Sequence, residues 1–324
     1  MTSDQISRVF APRPVGNTGL LVTPIGMGTA PLGSMPWVYS FEVPDDRGID
    51  TVRRCFQGPL NFIDTAAMYG DGTAERRIGA VIKELGGLPP GFVLETKADR
   101  DMQTGDWSAD QMRRSVERSL RLLNVDRLDV CLIHDTETST WEQVTAPGGP
   151  LEALLALKAE GVFDHFGIGA GPIDMLMRYV ELGVIEIVMT HNRYNLVDRE
   201  AEPLLDLCQQ RGVAVFNAAP YGSGILAKGP DAFARFRYHE AEPVLLDRVR
   251  KMQAACARYG VPLAASALQF SMRDPRITST VIGMTRPERI DETVRLATHP
   301  IPEGLWPELI ELGASREGIP ATFP

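Results

Sequence analysis

The stretch Asn61-Phe62-Ile63-Asp64-Thr65-Ala66-Ala67-Met68-Tyr69-Gly70 sets an aspartate at the end of a short apolar run and a tyrosine five residues later. Two similar runs follow, and each also closes on a proton-capable residue. Phe92-Val93-Leu94-Glu95-Thr96 ends at Lys97, and Leu128-Asp129-Val130-Cys131-Leu132-Ile133 ends at His134. Short, continuously apolar runs are the mark of strands buried on both faces, whereas one-sided antiparallel strands alternate. An Asp, a Tyr, a Lys and a His delivered from one end of successive parallel strands make a proton-transfer centre, which points to an enzyme.

Outward from this stretch the same pattern repeats. Residues 19–28 read as a hairpin piece followed by a first strand, and residues 165–170, 185–191, 213–218 and 279–282 read as further strands. Helical spacing lies between them. Thr73–Leu85 carries Ile78, Val81, Ile82 and Leu85 on one face, and 108–123 opens with the capping-box pair Ser108 and Gln111. Shorter helices are expected over 151–159 and 172–181, then 198–211 ending before Gly212, and 245–259 ending before Gly260. A last helix over 286–297 has Pro287 at its first position. Eight strands alternate with about eight helices and no linker divides the chain. A doubly wound open sheet also alternates, but the (β/α)8 TIM barrel fits better because its site gathers residues from the C-terminal ends of many strands. A single barrel domain over about 18–297 is expected within 1–324, with 300–324 as a Pro-rich C-terminal tail. The long connections 28–44, 135–150 and 220–243 then sit at the mouth, and 227–243 is expected to fold partly over it.

Composition narrows the class. Of 324 residues, 44% are apolar and 23% charged, which suits a soluble globular protein with a full core. A formal net charge of -9 argues against general affinity for nucleic acid or for an anionic membrane surface. No run approaches a membrane span, and the N-terminus lacks a basic region followed by an apolar core, so a cytoplasmic location is expected. Cys55, Cys131, Cys208 and Cys256 are far apart and read as buried free thiols. The histidines share no spacing suited to a metal, and none is read.

Tyrosine is a poor acid or base near neutrality, with an unperturbed pKa of about 10. A lysine cation nearby favours the phenolate, and an aspartate paired with the lysine holds it in place. A neutral histidine can donate to a carbonyl or alkoxide oxygen. The four together suit reversible proton transfer to a carbonyl oxygen. The hydride that completes such chemistry cannot come from side chains, so a nicotinamide cofactor is implied.

With these residues the chain resembles the aldo-keto reductase superfamily. The matching segments are Asp64-Thr-Ala-x-x-Tyr69-Gly70, Lys97 within Leu94-Glu-Thr-Lys, Asp129-x-x-x-x-His134, Tyr194-Asn195-Leu196, Pro220-Tyr-Gly-Ser-Gly-Ile-Leu226 and Pro287-Glu-Arg-Ile290. The resemblance implies that Tyr69 is the general acid/base, that Lys97 and Asp64 tune it, and that His134 orients the substrate oxygen. It implies an NAD or NADP site using Gly28, His191, Pro220, Gly222, Gly283, Arg286, Arg289 and Glu292, with the phosphates near the N-terminus of the last helix. Departures from the family pattern include Gly283 where a lysine is common and Thr293 where an asparagine often follows Glu292. Ala170-Gly171 stands where Ser-Asn is usual, His191 where glutamine is common, and Ala218 where an aromatic often stacks on the nicotinamide.

The wording Leu132-Ile-His-Asp135, Arg193-Tyr194-Asn-Leu-x-Asp198 and Pro220-x-x-Ser-Gly-Ile-Leu-Ala227 looks most like one branch. That branch holds aldose 1-dehydrogenases acting on L-fucose or L-galactose type sugars, together with pyridoxal 4-dehydrogenase. The resemblance implies oxidation of a cyclic hemiacetal to a lactone, and of the residues on the mouth loops Trp37, Tyr39, Met68 and Tyr221 are read as meeting the small-molecule substrate. An NADPH-dependent reductase of small aldehydes or ketones, and a nicotinamide-binding regulatory subunit, are the competing readings. A metal-dependent barrel hydrolase is a third, on fold alone.

Overall fold

The computed structural model describes residues 3–320. Eight parallel strands close into a barrel: β1 (Ile25–Gly28), β2 (Phe62–Asp64), β3 (Val93–Ala98), β4 (Leu128–His134), β5 (Phe163–Ala170), β6 (Ile187–His191), β7 (Ala214–Ala218) and β8 (Ser279–Gly283). Closure is made by β8 against β1, with Gly283 beside Gly28. Helices α1 (Asp45–Phe56), α2 (Thr73–Leu85), α3 (Ala109–Leu123), α4 (Pro150–Ala159), α5 (Ile173–Glu181) and α6 (Glu202–Arg211) follow the first six strands. Helices α7 (Pro243–Arg258) and α8 (Leu263–Met272) lie between β7 and β8, and α9 (Glu288–Ala297) and α10 (Leu305–Leu312) complete the ring. The expected (β/α)8 barrel is the fold.

The inward alternation of the strands positions the site. Phe62, Val93, Val130, Leu132, Ile187, Met189, Phe216 and Val281 fill the interior, while Ile63, Leu94, Cys131 and Ile133 pack outward beneath the helices. Successive strand side chains point to opposite faces, so the residue two places after each inward apolar group also points inward. That rule makes Asp64, Lys97, His134 and His191 the top inward residues of β2, β3, β4 and β6. Glycine makes room opposite: a Cβ on Gly169 of β5 would touch the Lys97 chain at 3.4 Å. At the other end, the antiparallel pair Arg13–Pro14 and Leu21–Val22 seats Val15 and Val22 on the interior cluster.

The first residues of α9 and α6 differ from expectation. Helix α9 starts at Glu288, so Pro287 caps it rather than opening it. Residues 198–201 form a turn, with Ala201 N–H donating to Arg193 O, before α6 begins. The capping box at α3 is half formed. Ser108 Oγ accepts from Gln111 N, but the Gln111 amide donates to Asp99 O instead of returning to Ser108. The tail expected over 300–324 carries α10, whose Leu305, Trp306 and Leu309 are buried. Among the described residues, no helix is long and apolar enough to cross a membrane. All four cysteines are buried free thiols.

Candidate active site

At the C-terminal end of the barrel, Lys97 is buried and its ammonium donates to the Asp64 carboxylate and, at 2.7 Å, to Thr65 O. Its third neighbour is Tyr69 Oη at 3.4 Å. Asp64 and Lys97 come from adjacent strands, and Tyr69 rides on the turn just past β2, where Tyr69 N donates to Ala66 O and Ala67 N to Lys97 O. His134 presents its ring edge-on to Tyr69, with centroids 5.7 Å apart. The four residues expected to act together are therefore gathered in one place.

Two carboxylates that the sequence reading passed over complete the inner site. Asp99 Oδ1 lies 2.7 Å from His134 Nδ1, and its other oxygen accepts from Met68 N at 2.8 Å. With Nδ1 donating to Asp99, His134 turns Nε2 toward the mouth, where Asp135 lies 3.5 Å away. Burial alone would lower the His134 pKa, but Asp135 and Asp99 outweigh it and hold it above the usual value. Glu95 is wholly buried on β3 with its carboxylate 3.7 Å from Lys97. Neither of its oxygens has a hydrogen-bond partner among the described residues, and burial pushes its pKa well up against the pull of Lys97. Burial lowers the Lys97 pKa and the paired Asp64 carboxylate raises it more, so it remains an ammonium. The signal for Glu95 and Asp99 was available: they stand two residues before and after Lys97, on the same side of the strand.

Tyr69 corrects one expectation. Burial first, then Asp64, Asp135 and Asp99, push its phenol well above the ordinary value, so the resting group is the neutral phenol. Lys97 acts on the phenolate when it forms rather than holding it formed.

Around this centre the predicted cofactor residues divide. Gly28 and Gly283 meet as strand partners at the lip. Pro220 is buried beside Gly222, whose backbone is left-handed (φ 55°) against the Phe236 ring. Arg286 and Arg289 both reach Glu292, at 3.3 and 2.8 Å, at the start of α9. Tyr221 is buried near Arg289 and Glu292, and its hydroxyl has no hydrogen-bond partner among the described residues. An orphaned polar group beside two arginines at a helix start fits the anionic, hydroxyl-rich part of a dinucleotide.

Glu137, also unforeseen, lies beside two of the departures, Gly171 and His191. Its Oε1 accepts from Gly171 N at 2.9 Å, and its Oε2 is buried with no hydrogen-bond partner among the described residues. Asp135, Glu137 and His191 bring one ligand atom each within 4.8 Å of one another, a grouping that histidine spacing alone does not reveal. These donors suit an amide of a bound ligand or a cation. Burial lowers the His191 pKa to about 4, so its ring is neutral at pH 7.

Of the substrate residues, Tyr39 and Met68 line the mouth half-buried and Tyr221 lies deeper, but Trp37 is 78% exposed and is not gathered with them. Tyr194-Asn195-Leu196 is structural: Tyr194 Oη donates to Asp274 at 2.5 Å, and Asn195 Oδ1 accepts from Val197 N. Asp129 ties β4 to β3 through Leu94 N at 2.8 Å.

The chain is 31% identical to L-galactose dehydrogenase of Arabidopsis thaliana, over 95% of this chain and 91% of that protein. It is 29% identical to pyridoxal 4-dehydrogenase of Microbacterium luteolum, over 92% and 96% of the two chains. The solved holo form of an aldo-keto reductase from Bacillus halodurans superposes with a TM-score of 0.75 at 22% identity, covering 94% of this chain and 98% of that one. The relatives fall in the branch whose motifs the sequence carries. A model of the aldo/keto reductase family matches residues 24–313, and the chain is an oxidoreductase belonging to that family.

Proposed function

We propose that this oxidoreductase oxidises the hemiacetal carbon of a small cyclic substrate to a lactone, using NAD or NADP. The substrate is an aldose such as L-fucose, L-galactose or D-arabinose, or pyridoxal. The observation that carries the reading is the Tyr69 hydroxyl, 3.4 Å from a Lys97 ammonium fixed by Asp64, beside a His134 whose Nδ1 is committed to Asp99. L-galactose dehydrogenase and pyridoxal 4-dehydrogenase, named for such substrates, support it.

A nicotinamide cofactor, when bound, would supply the acceptor for the hydride leaving the hemiacetal carbon. The chain's own residues handle the proton. Tyr69 Oη takes it from the hemiacetal hydroxyl, Lys97 stabilises the phenolate that must first form, and His134 Nε2 holds the substrate oxygen. Arg286, Arg289 and Tyr221 would hold the phosphate-bearing part of the cofactor, and Glu137 and His191 its amide.

The raised Tyr69 pKa gives the pH dependence a sign. Oxidation needs the phenolate, whose fraction grows about tenfold per pH unit below the pKa, so oxidation speeds up with rising pH, while carbonyl reduction, served by the neutral phenol, stays flat until the pH nears that pKa. The same neutral phenol favours a second reading, reduction of a small aldehyde or ketone, since it is already a proton donor.

The test is nicotinamide reduction by the purified protein with NAD and NADP separately, each with L-fucose, L-galactose, D-arabinose and pyridoxal. Turnover is expected with at least one pair, and Tyr69→Phe should lower it by about 10²–10⁴-fold, the range for a general acid/base. No turnover with any pair, alongside reduction of small aldehydes, would replace the dehydrogenase reading with the reductase.

A further inference from the structure

Between β7 and α7 the chain forms a two-stranded hairpin, Arg235–Phe236 against His239–Glu240. Its two-residue tip is Arg237-Tyr238, and both residues adopt left-handed backbone, φ 49° and 68°. Tight hairpin tips of this geometry ordinarily use Asn-Gly, because larger side chains resist positive φ. A strained tip persists only where its surroundings over-determine it.

Arg237 supplies the restraint. It is wholly buried, pairs with Asp198, and donates to Glu200 and to Pro320 O, each at 2.6 Å. Phe236 packs beside it against Gly222. The latch joins three separate parts of the chain, and its product is the placement of Tyr238.

Tyr238 is held over the mouth. Its ring meets that of Tyr39 nearly edge-on, with centroids 6.5 Å apart. The side chains of Asn192 and Tyr39 lie close enough to its hydroxyl to act on it. Asn192 is buried in left-handed backbone just past β6, and its Oδ1 accepts from Ser223 N at 3.1 Å. Tyr39, Tyr238 and Tyr69 lie within electrostatic reach of one another. Three mouth loops thus converge on two tyrosine hydroxyls above the proton-transfer centre.

From this geometry we infer that Tyr238 and Tyr39 form a clamp that selects hydroxyl-bearing substrates, with Tyr238 as a specificity-determining residue preset by the Arg237 latch. The inference rests on the reading of Tyr69 as acid/base. Aromatic faces cover the C–H side of a sugar-like ring, and the two phenols together with the Asn192 Nδ2 group, which has no hydrogen-bond partner among the described residues, can bond its hydroxyls. Ordering the tip in advance spares the substrate that cost.

The experiment compares wild type, Tyr238→Phe and Tyr238→Ala on three reactions: D-arabinose oxidation, glyceraldehyde reduction and propanal reduction. Glyceraldehyde and propanal share a chain length and differ in hydroxyls. Equal melting temperatures for Tyr238→Phe and wild type establish that the fold is intact. Loss of one hydrogen bond corresponds to about three- to tenfold in KM, so Tyr238→Phe should raise KM for the hydroxylated substrates by that factor relative to propanal, with a larger ratio in Tyr238→Ala. An unchanged ratio in both variants, with Tyr69-dependent turnover intact, overturns the clamp and leaves the dehydrogenase reading standing. Absent arabinose oxidation with a changed glyceraldehyde-to-propanal ratio overturns the dehydrogenase reading and leaves the clamp. No turnover of any kind overturns both.

Discussion

Lys97 sits among acids that an ordinary barrel core would replace with leucine. Asp64 neutralises it, Glu95 lies 3.7 Å away, and behind the strand a third carboxylate, Glu75, is fully buried and accepts from Thr96 Oγ1 at 2.6 Å. Burying a charge is costly, so surplus carboxyls there keep their protons. Burial raises Glu75 to about 7 from 4.5, with the Thr96 bond opposing. The folded protein then holds a proton that the unfolded chain releases, so stability from this group is present at pH 4.5 and is lost as pH climbs to about 7. Glu75→Gln does not titrate. Its unfolding free energy should match wild type near pH 4.5 and exceed it by up to about 3 kcal/mol at pH 8, as read from urea denaturation at both values. A wild-type advantage at pH 8 would refute the buried-proton account. At this scale the four catalytic candidates were legible because Asp64, Lys97 and His134 each end an apolar run and Tyr69 follows Asp64 by five residues. Glu137, Asn192 and Tyr238 were not, since loop residues reach the site by tertiary routes that no periodicity records.

Tyr69 is aimed by the contact between its turn and the loop following β1. Gly70 has φ 64°, and a Cβ there would fall 1.8 Å from Gly33 O. Neither backbone can retreat, because Gly33 in turn lies against the Tyr69 backbone. Gly70→Ala should therefore move the tyrosine rather than fill space. We expect kcat to drop about 10²-fold, the scale of a 1 Å misplacement, with a lower melting temperature; unchanged kcat would mean that the turn tolerates the shift. Legibility at this scale followed the hydrophobic pattern. Strands were readable from their apolar runs and α2 and α3 from their stripes. Helix α8, Leu-Ala-Ala-Ser-Ala-Leu-Gln-Phe-Ser-Met, is almost entirely buried and so carries no stripe to read. Helix α1 begins Asp45-Asp46-Arg47-Gly48, a polar opening that hides its Val52 and Cys55 face, and α10 lies in a tail whose prolines obscured it.

Across the whole molecule, closure joins residues far apart in sequence, and the C-terminal segment fastens the ring from outside. Arg248 of α7 donates to Ser315 O and Glu317 O, both at 2.6 Å, while Leu305 and Leu309 of α10 are fully buried. Leu309→Ala should cost about 2–5 kcal/mol, as for other buried leucines, and should also loosen the Pro320 anchor of Arg237. The check is chemical denaturation together with KM for the best substrate; a loss of stability with no change in KM would separate the tail from the mouth. The four free cysteines offer a last consequence. Cys55 lies in α1, Cys131 in β4, Cys208 in α6 and Cys256 in α7, all at most 1% exposed. Burial pushes the Cys55 and Cys208 thiols up to about 12 and those of Cys131 and Cys256 up as well, so none reacts while its surroundings stay closed. Each is therefore a native reporter, and the order in which a thiol reagent captures them would time the opening of four sectors of the ring without any introduced label.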